Sequence, residues 1–297
     1  MGRARPPAQL RTPRRYILWA TPAPPLTSFM HALTRTVRFA INPRDLRDES
    51  SARDPNGFAG APSFRGLARH YELQVRCQGP ANPVTGYLVD IKDVDRAVRT
   101  CAIPAIQAAC DSADSADPGS TLTRFLPTLR DSLDGTLRSV RWLLTPFHSV
   151  EAHVNDPTTV LIRQRFDFCA SHRLNIPSLS GEENRRLFGK CNNPTGHGHN
   201  YQFEPCIAVP GGGAPPRFSL QSLERLAEST IIARFDHKNL NSDTAEFRDG
   251  SGLNPTVENI ARVCFDLLAP EVARAGASLH SVTVWETDRT SCTYPAT

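Results

Sequence analysis

Two stretches of this chain align without a gap, and that repeat limits the folds open to it more than any other feature. Phe58–Tyr71 (FAGAPSFRGLARHY) and Phe188–Tyr201 (FGKCNNPTGHGHNY) share Phe, Gly and Tyr at the same places. His148–Val150 matches His280–Val282, and Val37–Ala40 has the pattern of Arg165–Phe168. Three matches in the same order read as two copies of one fold, and 297 residues have room for both. The expected organisation is a basic, proline-rich disordered tail over residues 1–30, one copy over 31–156 and a second over 157–297.

The second copy is the more readable. Val160–Ala170 alternates and is rich in β-formers, so it reads as a strand. His197–Val209 reads as another, with Pro205 marking a bulge or an edge. Ser219–Arg234 carries apolar residues at helical spacing. Asn254 and Pro255 are expected to cap and open a further helix with an apolar stripe at Ile260, Val263, Leu267 and Leu268. Leu279–Glu286 is a strand, with a short one at Ser291–Tyr294. The order β-β-α-α-β predicts an α+β fold with helices on one face of an antiparallel sheet. In the first copy the leading strand is Thr34–Ala40.

Composition narrows the function. A net charge of +4 suits an anionic small substrate and is too weak to point to nucleic acid. No run of eighteen apolar residues suggests a membrane span. The eight cysteines form no C-x-x-C pair, which reads as unpaired thiols in a reducing cytoplasm. Residues 1–44 lack Asp and Glu, and Met30 stands just before the first strand as an alternative start.

His197 and His199 are two apart on a strand, so both imidazoles share a face and can reach one ion. His172, on the neighbouring predicted strand, supplies a third. Three histidines leave a zinc position open for a substrate oxygen, whereas a closed structural zinc site needs four ligands. Cys191 precedes the pair in a polar turn-rich loop, where a nearby metal would favour its thiolate. Asp236 beside His237 can fix the imidazole tautomer for proton transfer. Glu286, at a strand end, can accept two hydrogen bonds from a guanine-like heterocycle.

Together these residues resemble the 6-pyruvoyl-tetrahydropterin synthase family, which includes 6-carboxytetrahydropterin synthases. The resemblance covers about residues 160–297. It rests on Ser171–Leu174 (SHRL), Glu183 and Asn184, Phe188–Asn193 (FGKCNN), Gly196–Tyr201 (GHGHNY), Asp236–Leu240 (DHKNL), Pro255–Asn259 (PTVEN) and Glu286–Asp288 (ETD). It implies tandem tunnelling-fold (T-fold) domains in an oligomeric barrel with active sites between subunits. It implies Zn2+ on His172, His197 and His199, and a catalytic Cys191 with Asp236 and His237. A pterin would be anchored by Glu286 and lined by Thr256 and Glu258. The implied substrate is 7,8-dihydroneopterin triphosphate. The product is 6-carboxytetrahydropterin, feeding 7-deazaguanine (queuosine) synthesis, or 6-pyruvoyl-tetrahydropterin, with triphosphate released in either case.

The first copy has lost this chemistry. Leu67, Arg69 and Ala61 stand opposite His197, His199 and Cys191, Asn42 or Pro43 opposite His172, and Val154 opposite Glu286. Pro210–Pro216 replaces the family's usual hairpin, which survives in the first copy as Asn82–Gly86 (NPVTG). The expectation is a cytoplasmic homo-oligomeric lyase with no nucleic-acid or membrane partner, in which three two-domain chains match six single-domain subunits. The competing class is a non-catalytic zinc- or pterin-binding module, which would have no use for Cys191, Asp236 and His237 together.

Overall fold

The computed structural model describes residues 30–47, 62–112, 117–211 and 218–296, and the statements below concern those residues. The tail over 1–29, Ala61 and most of the Pro210–Pro216 turn lie outside them.

Ten strands form one sheet. β1 (Met30–Ile41), β2 (Arg69–Pro80), β3 (Leu137–Leu143) and β4 (His148–His153) pair in that order, all antiparallel. β4 then pairs with β5 (Asp156–Gln164), which resumes after Arg165 as β6 (Phe166–His172). Both lie along one flank of β7 (His197–Pro210), and β8 (Lys238–Asn239) adds a two-residue parallel spur to β6. The other flank of β7 carries β9 (Ser278–Thr287), which ends in a hairpin with β10 (Thr290–Tyr294). Counting β5 and β6 as one line, the sheet is eight strands wide, with β1 and β10 as its edges.

The helices lie on one face. α1 (Ile91–Ala97) and α2 (Ile103–Asp111), joined by a π turn, and α3 (Pro118–Asp131) follow β2. α4 (Gly181–Phe188) stands between β6 and β7. α5 (Leu220–Ala227), α6 (Ala233–Phe235), α7 (Leu240–Asp243) and α8 (Val257–Arg274) follow β7. Alternation along the strands sends Val37, Phe39 and Ile41 from β1 and Tyr201 and Phe203 from β7 into the core. The helices answer with Leu122, Phe125 and Leu129, and with Ile260, Cys264 and Leu268. Each such large apolar side chain contributes roughly 2 kcal/mol by leaving water.

The opposite face is charged. Arg163 meets Glu151 at 2.7 Å, and Arg141 and Arg165 each approach Glu204 at 3.6 Å. Burial pushes the Glu151 carboxyl up, but His153, Arg163 and Ser139 outweigh it and hold it at about 2. A sheet with one face packed and the other polar fits an α+β fold.

Several sequence expectations need correction. α8 starts at Val257 with Thr256 as its cap, so Asn254 and Pro255 precede the helix. His148 lies on β4 and His280 on β9, which occupy different places in their hairpins, so that three-residue match was coincidental. Strand register gives the true equivalences. Phe39 opposes Tyr71 as Phe168 opposes Tyr201, which pairs Pro43 with His172 and moves the Val37–Ala40 match by one residue. Leu73 opposes Trp142 as Phe203 opposes Val284, so Leu144 rather than Val154 stands where Glu286 does. The break at Pro205 is real but small: β7 runs through it, with a register shift at Cys206 and Ile207.

Candidate metal and active site

β6 and β7 bring the three histidines together because His172 and His197 are direct cross-strand partners and His199 follows two residues on. Their ligating nitrogens lie within 4.8 Å of one another. His172 is fully buried, and its Nδ1 donates to the Pro255 carbonyl at 2.7 Å. Its Nε2 therefore carries the lone pair, aimed at His197 Nε2 at 3.1 Å. Burial pulls His172 down to about 4, against the Pro255 carbonyl, with His197 and His199 pushing the same way. His199 is likewise lowered by burial, against the pull of Glu286. Converging imidazoles suit a cation, and His199 Nε2 is buried without a hydrogen-bond partner. The three form a possible metal site.

Glu286, at the end of β9, places Oε1 3.4 Å from His172 Nε2 and 3.6 Å from His199 Nε2. His199, Glu286 and His237 share one open cleft of about 710 Å³, with Cys169, Lys238 and Thr287 among its other walls. His237 sits at φ +56°, a left-handed conformation uncommon for a residue with a side chain. Its N–H donates to the Cys169 carbonyl at 2.6 Å, and its Nδ1 donates to Asp236 at 2.7 Å. The other Asp236 oxygen accepts the Cys169 N–H at 2.8 Å. That N–H first, and then His237, hold the Asp236 carboxyl below the usual range. The exposed imidazole is thus fixed with Nε2 free to exchange a proton.

Cys191 is half-buried in the turn Gly189–Asn192, and its carbonyl accepts the Leu174 N–H at 2.8 Å. It does not line the cleft, but its charge helps raise the Tyr201 hydroxyl, after burial and Glu286. Gly196 packs this loop against His172: at φ +71°, a Cβ there would lie 2.9 Å from the His172 carbonyl oxygen. Thr256 caps α8 through Asn259, and Glu258 is exposed in its first turn; neither lines the cleft.

Two functional groups escaped the sequence reading. The Pro255 carbonyl orients His172 from far along the chain, a role no side-chain pattern reveals. Tyr201, buried with its hydroxyl 3.3 Å from His172 Nδ1, stands in the repeat match itself and could have been suspected there. All eight cysteines are free. No helix among the described residues is long and apolar enough to cross a membrane.

Residues 161–297 match the family model described as 6-pyruvoyl tetrahydropterin synthase. Over 136 residues the chain is 41% identical to the human 6-pyruvoyl tetrahydrobiopterin synthase, covering 45% of this chain and 89% of that protein. The Drosophila melanogaster protein of the same name is 35% identical over 139 residues, 46% of this chain and 80% of that one. The solved structure of the Caenorhabditis elegans 6-pyruvoyl tetrahydropterin synthase is 32% identical. It aligns with 47% of this chain and 96% of its own, at a TM-score of 0.41.

Proposed function

This chain belongs to the 6-pyruvoyl tetrahydropterin synthase family, and from that premise we propose that residues 157–297 form a zinc-dependent lyase acting on 7,8-dihydroneopterin triphosphate. The observation that carries this reading is the convergence of three imidazoles beside a cleft that His199, Glu286 and His237 share, with His237 held by Asp236.

His172, His197 and His199 would hold the zinc, whose Lewis acidity toward side-chain oxygens would make neighbouring C–H protons acidic. The product's ring carries two more hydrogens than the substrate's, and its side chain is correspondingly more oxidised. The reaction is therefore an internal hydrogen transfer coupled to loss of triphosphate, and it calls for proton carriers. His237, oriented by Asp236, fills one such role, and the Cys191 thiolate the other. Glu286 would accept hydrogen bonds from the pterin's amino and ring N–H groups, setting the side chain against the histidines. The relatives' names favour the 6-pyruvoyl product over the 6-carboxy one.

Residues 31–156 are, on this reading, a second tunnelling-fold unit without chemistry. Both halves run β-β-α-α-β-β, but Pro43, Leu67, Arg69 and Leu144 stand at the positions of the three histidines and Glu286. The test is incubation of the zinc-loaded protein with 7,8-dihydroneopterin triphosphate and mass spectrometry of the products. A 6-pyruvoylpterin with triphosphate is expected. Acetaldehyde with a 6-carboxypterin would move the assignment to the deazaguanine branch, and no turnover by zinc-loaded protein would reject the lyase.

A further inference from the structure

The corner that holds the three histidines has a counterpart in the N-terminal half, and permanent cations line it instead of imidazoles. Arg69 precedes Tyr71 by two residues as His199 precedes Tyr201, and β1 leads past it to Pro43 as β6 leads to His172. Beyond the end of β1, Asn42, Arg44 and Arg47 join Arg69, Cys110 and Asp111 around a cavity of about 200 Å³. Cys110 and Asp111 come from α2. In both halves a π turn leads into a further helix. In the C-terminal half that helix stops before Asp236 and His237, and in the N-terminal half it runs on to Cys110 and Asp111.

Three guanidiniums stand against one carboxylate on these walls. Asp111 is taken up by Arg47, whose Nη1 and Nη2 donate to its two oxygens at 2.5 and 2.9 Å. Arg47 Nε donates to the Asn42 carbonyl at 2.7 Å, and the paired side chains are only 21% and 23% exposed. Buried Asn42 ties the corner to the next loop: its Nδ2 donates to the Ser63 carbonyl at 3.0 Å, and its Oδ1 accepts the Arg65 N–H at 2.9 Å. Arg44 reaches Asp111 only at 3.9 Å and is mostly exposed. Arg69 lies beside the Cys110 thiol and the Tyr71 hydroxyl, Cys110 doing more to favour its charged form. With Asp111 committed to Arg47, Arg44 and Arg69 keep positive charges that no carboxylate lining the cavity answers.

An imidazole can offer a lone pair to a cation, whereas a guanidinium offers only N–H donors and pairs with acceptors. Its planar fork matches the oxygens of a phosphate, and donors arriving from separate segments suit a tetrahedral anion. The positive charge that a metal would bring to the C-terminal corner is here built into the chain. We propose that this corner of the N-terminal half binds a phosphate group, with Arg44 and Arg69 as its donors and the Arg47–Asp111 pair as a fixed wall.

The site is separate from the cleft of His199, Glu286 and His237 and shares no wall with it. Nothing in it requires zinc or turnover, so it stands or falls apart from the lyase assignment. The group bound is either the free phosphate ion or the terminal phosphate of a polyphosphate chain, which present the same oxygens to the two arginines.

The test is calorimetric titration of the full zinc-loaded chain with inorganic phosphate. Arg69→Gln and Arg44→Gln should each weaken binding by about tenfold or more, the worth of a charged hydrogen bond. Lys238→Gln, in the other cleft, should leave it unchanged. The unaltered protein gives an independent readout through the thiol on the cavity wall. Saturating phosphate should slow alkylation of Cys110 by iodoacetamide several-fold, followed by peptide mass, while Cys101 keeps its rate. Protection of Cys110 by triphosphate at lower concentration than phosphate assigns the end of a polyphosphate chain, and the reverse assigns the free ion; both uphold the site. No phosphate binding, binding that Lys238→Gln removes and Arg69→Gln leaves intact, or Cys110 alkylation indifferent to either anion would overturn the proposal.

Discussion

The N-terminal and C-terminal halves of this chain share strand order and register, but among the described residues α4, β8 and α7 have no N-terminal counterpart, and the strand ends carry different residues. In the C-terminal half, His172 and His197 face each other across β6 and β7, with Glu286 within 3.4 Å. In the N-terminal half, Pro43 takes the place of His172, Leu67 is almost wholly exposed, and Arg69 and Leu144 stand where His199 and Glu286 do. The aromatic support survives better than the chemistry. Tyr71 lies against Phe39, tilted at 6.0 Å, as its equivalent Tyr201 stacks on Phe168 at 5.1 Å and also reaches His172. The sheet therefore positions a site without specifying one.

The sharpest way to separate the halves is to remove proton carriers. Cys191→Ser and His237→Ala should each lower kcat by about 10²–10⁴-fold with zinc content unchanged. The same readouts for Cys110→Ser, at the end of α2 in the first half, should stay at the unaltered level. A loss of metal in the Cys191 variant would recast that residue as a ligand.

A subtler contrast lies in two equivalent glycines, Gly66 and Gly196, both at positive φ. A Cβ on Gly196 would strike the His172 backbone carbonyl at 2.9 Å, whereas one on Gly66 would meet the mobile end of Leu46 at 2.8 Å. Gly196→Ala should therefore destabilise by about 2–3 kcal/mol and weaken metal binding, and Gly66→Ala by about 1 kcal/mol with metal unaffected. Denaturant midpoints and metal titration read both. Equal costs would mean that the loop does not press on the ligand.

The last contrast is in pH. His172 titrates at about 4 in the fold and at about 6.5 when unfolded, so between these values the unfolded chain binds the extra proton. Metal-stripped protein should lose stability as pH falls from about 6.5 to about 4, and His172→Gln should flatten that slope. His148, whose imidazole burial also lowers, keeps a residual slope in the first half. An unchanged slope in the variant would show that His172 is not held neutral.

Much of this was legible in the sequence because it is local. A strand with histidines two apart, an Asp beside a His and the apolar stripe of α8 each announce themselves within a few residues. What was not legible depends on pairing. Neither the Pro255 carbonyl on His172 nor the β4–β5 junction has a local signature. The shared His-Ser-Val at His148 and His280 misled because identity over three residues carries no register, and with it went the placement of Val154 opposite Glu286. Thr256 in the family motif turned out to cap a helix, a job its hydroxyl performs wherever a helix begins.

The asymmetry between the halves is tested most directly by counting bound metal in the purified, zinc-equilibrated protein. One zinc per chain is expected, falling to none in His199→Ala while the fold and assembly persist. Two per chain would place a metal site in the N-terminal half, and one that survives His199→Ala would show that this histidine does not hold it; either result contradicts one three-histidine site per chain.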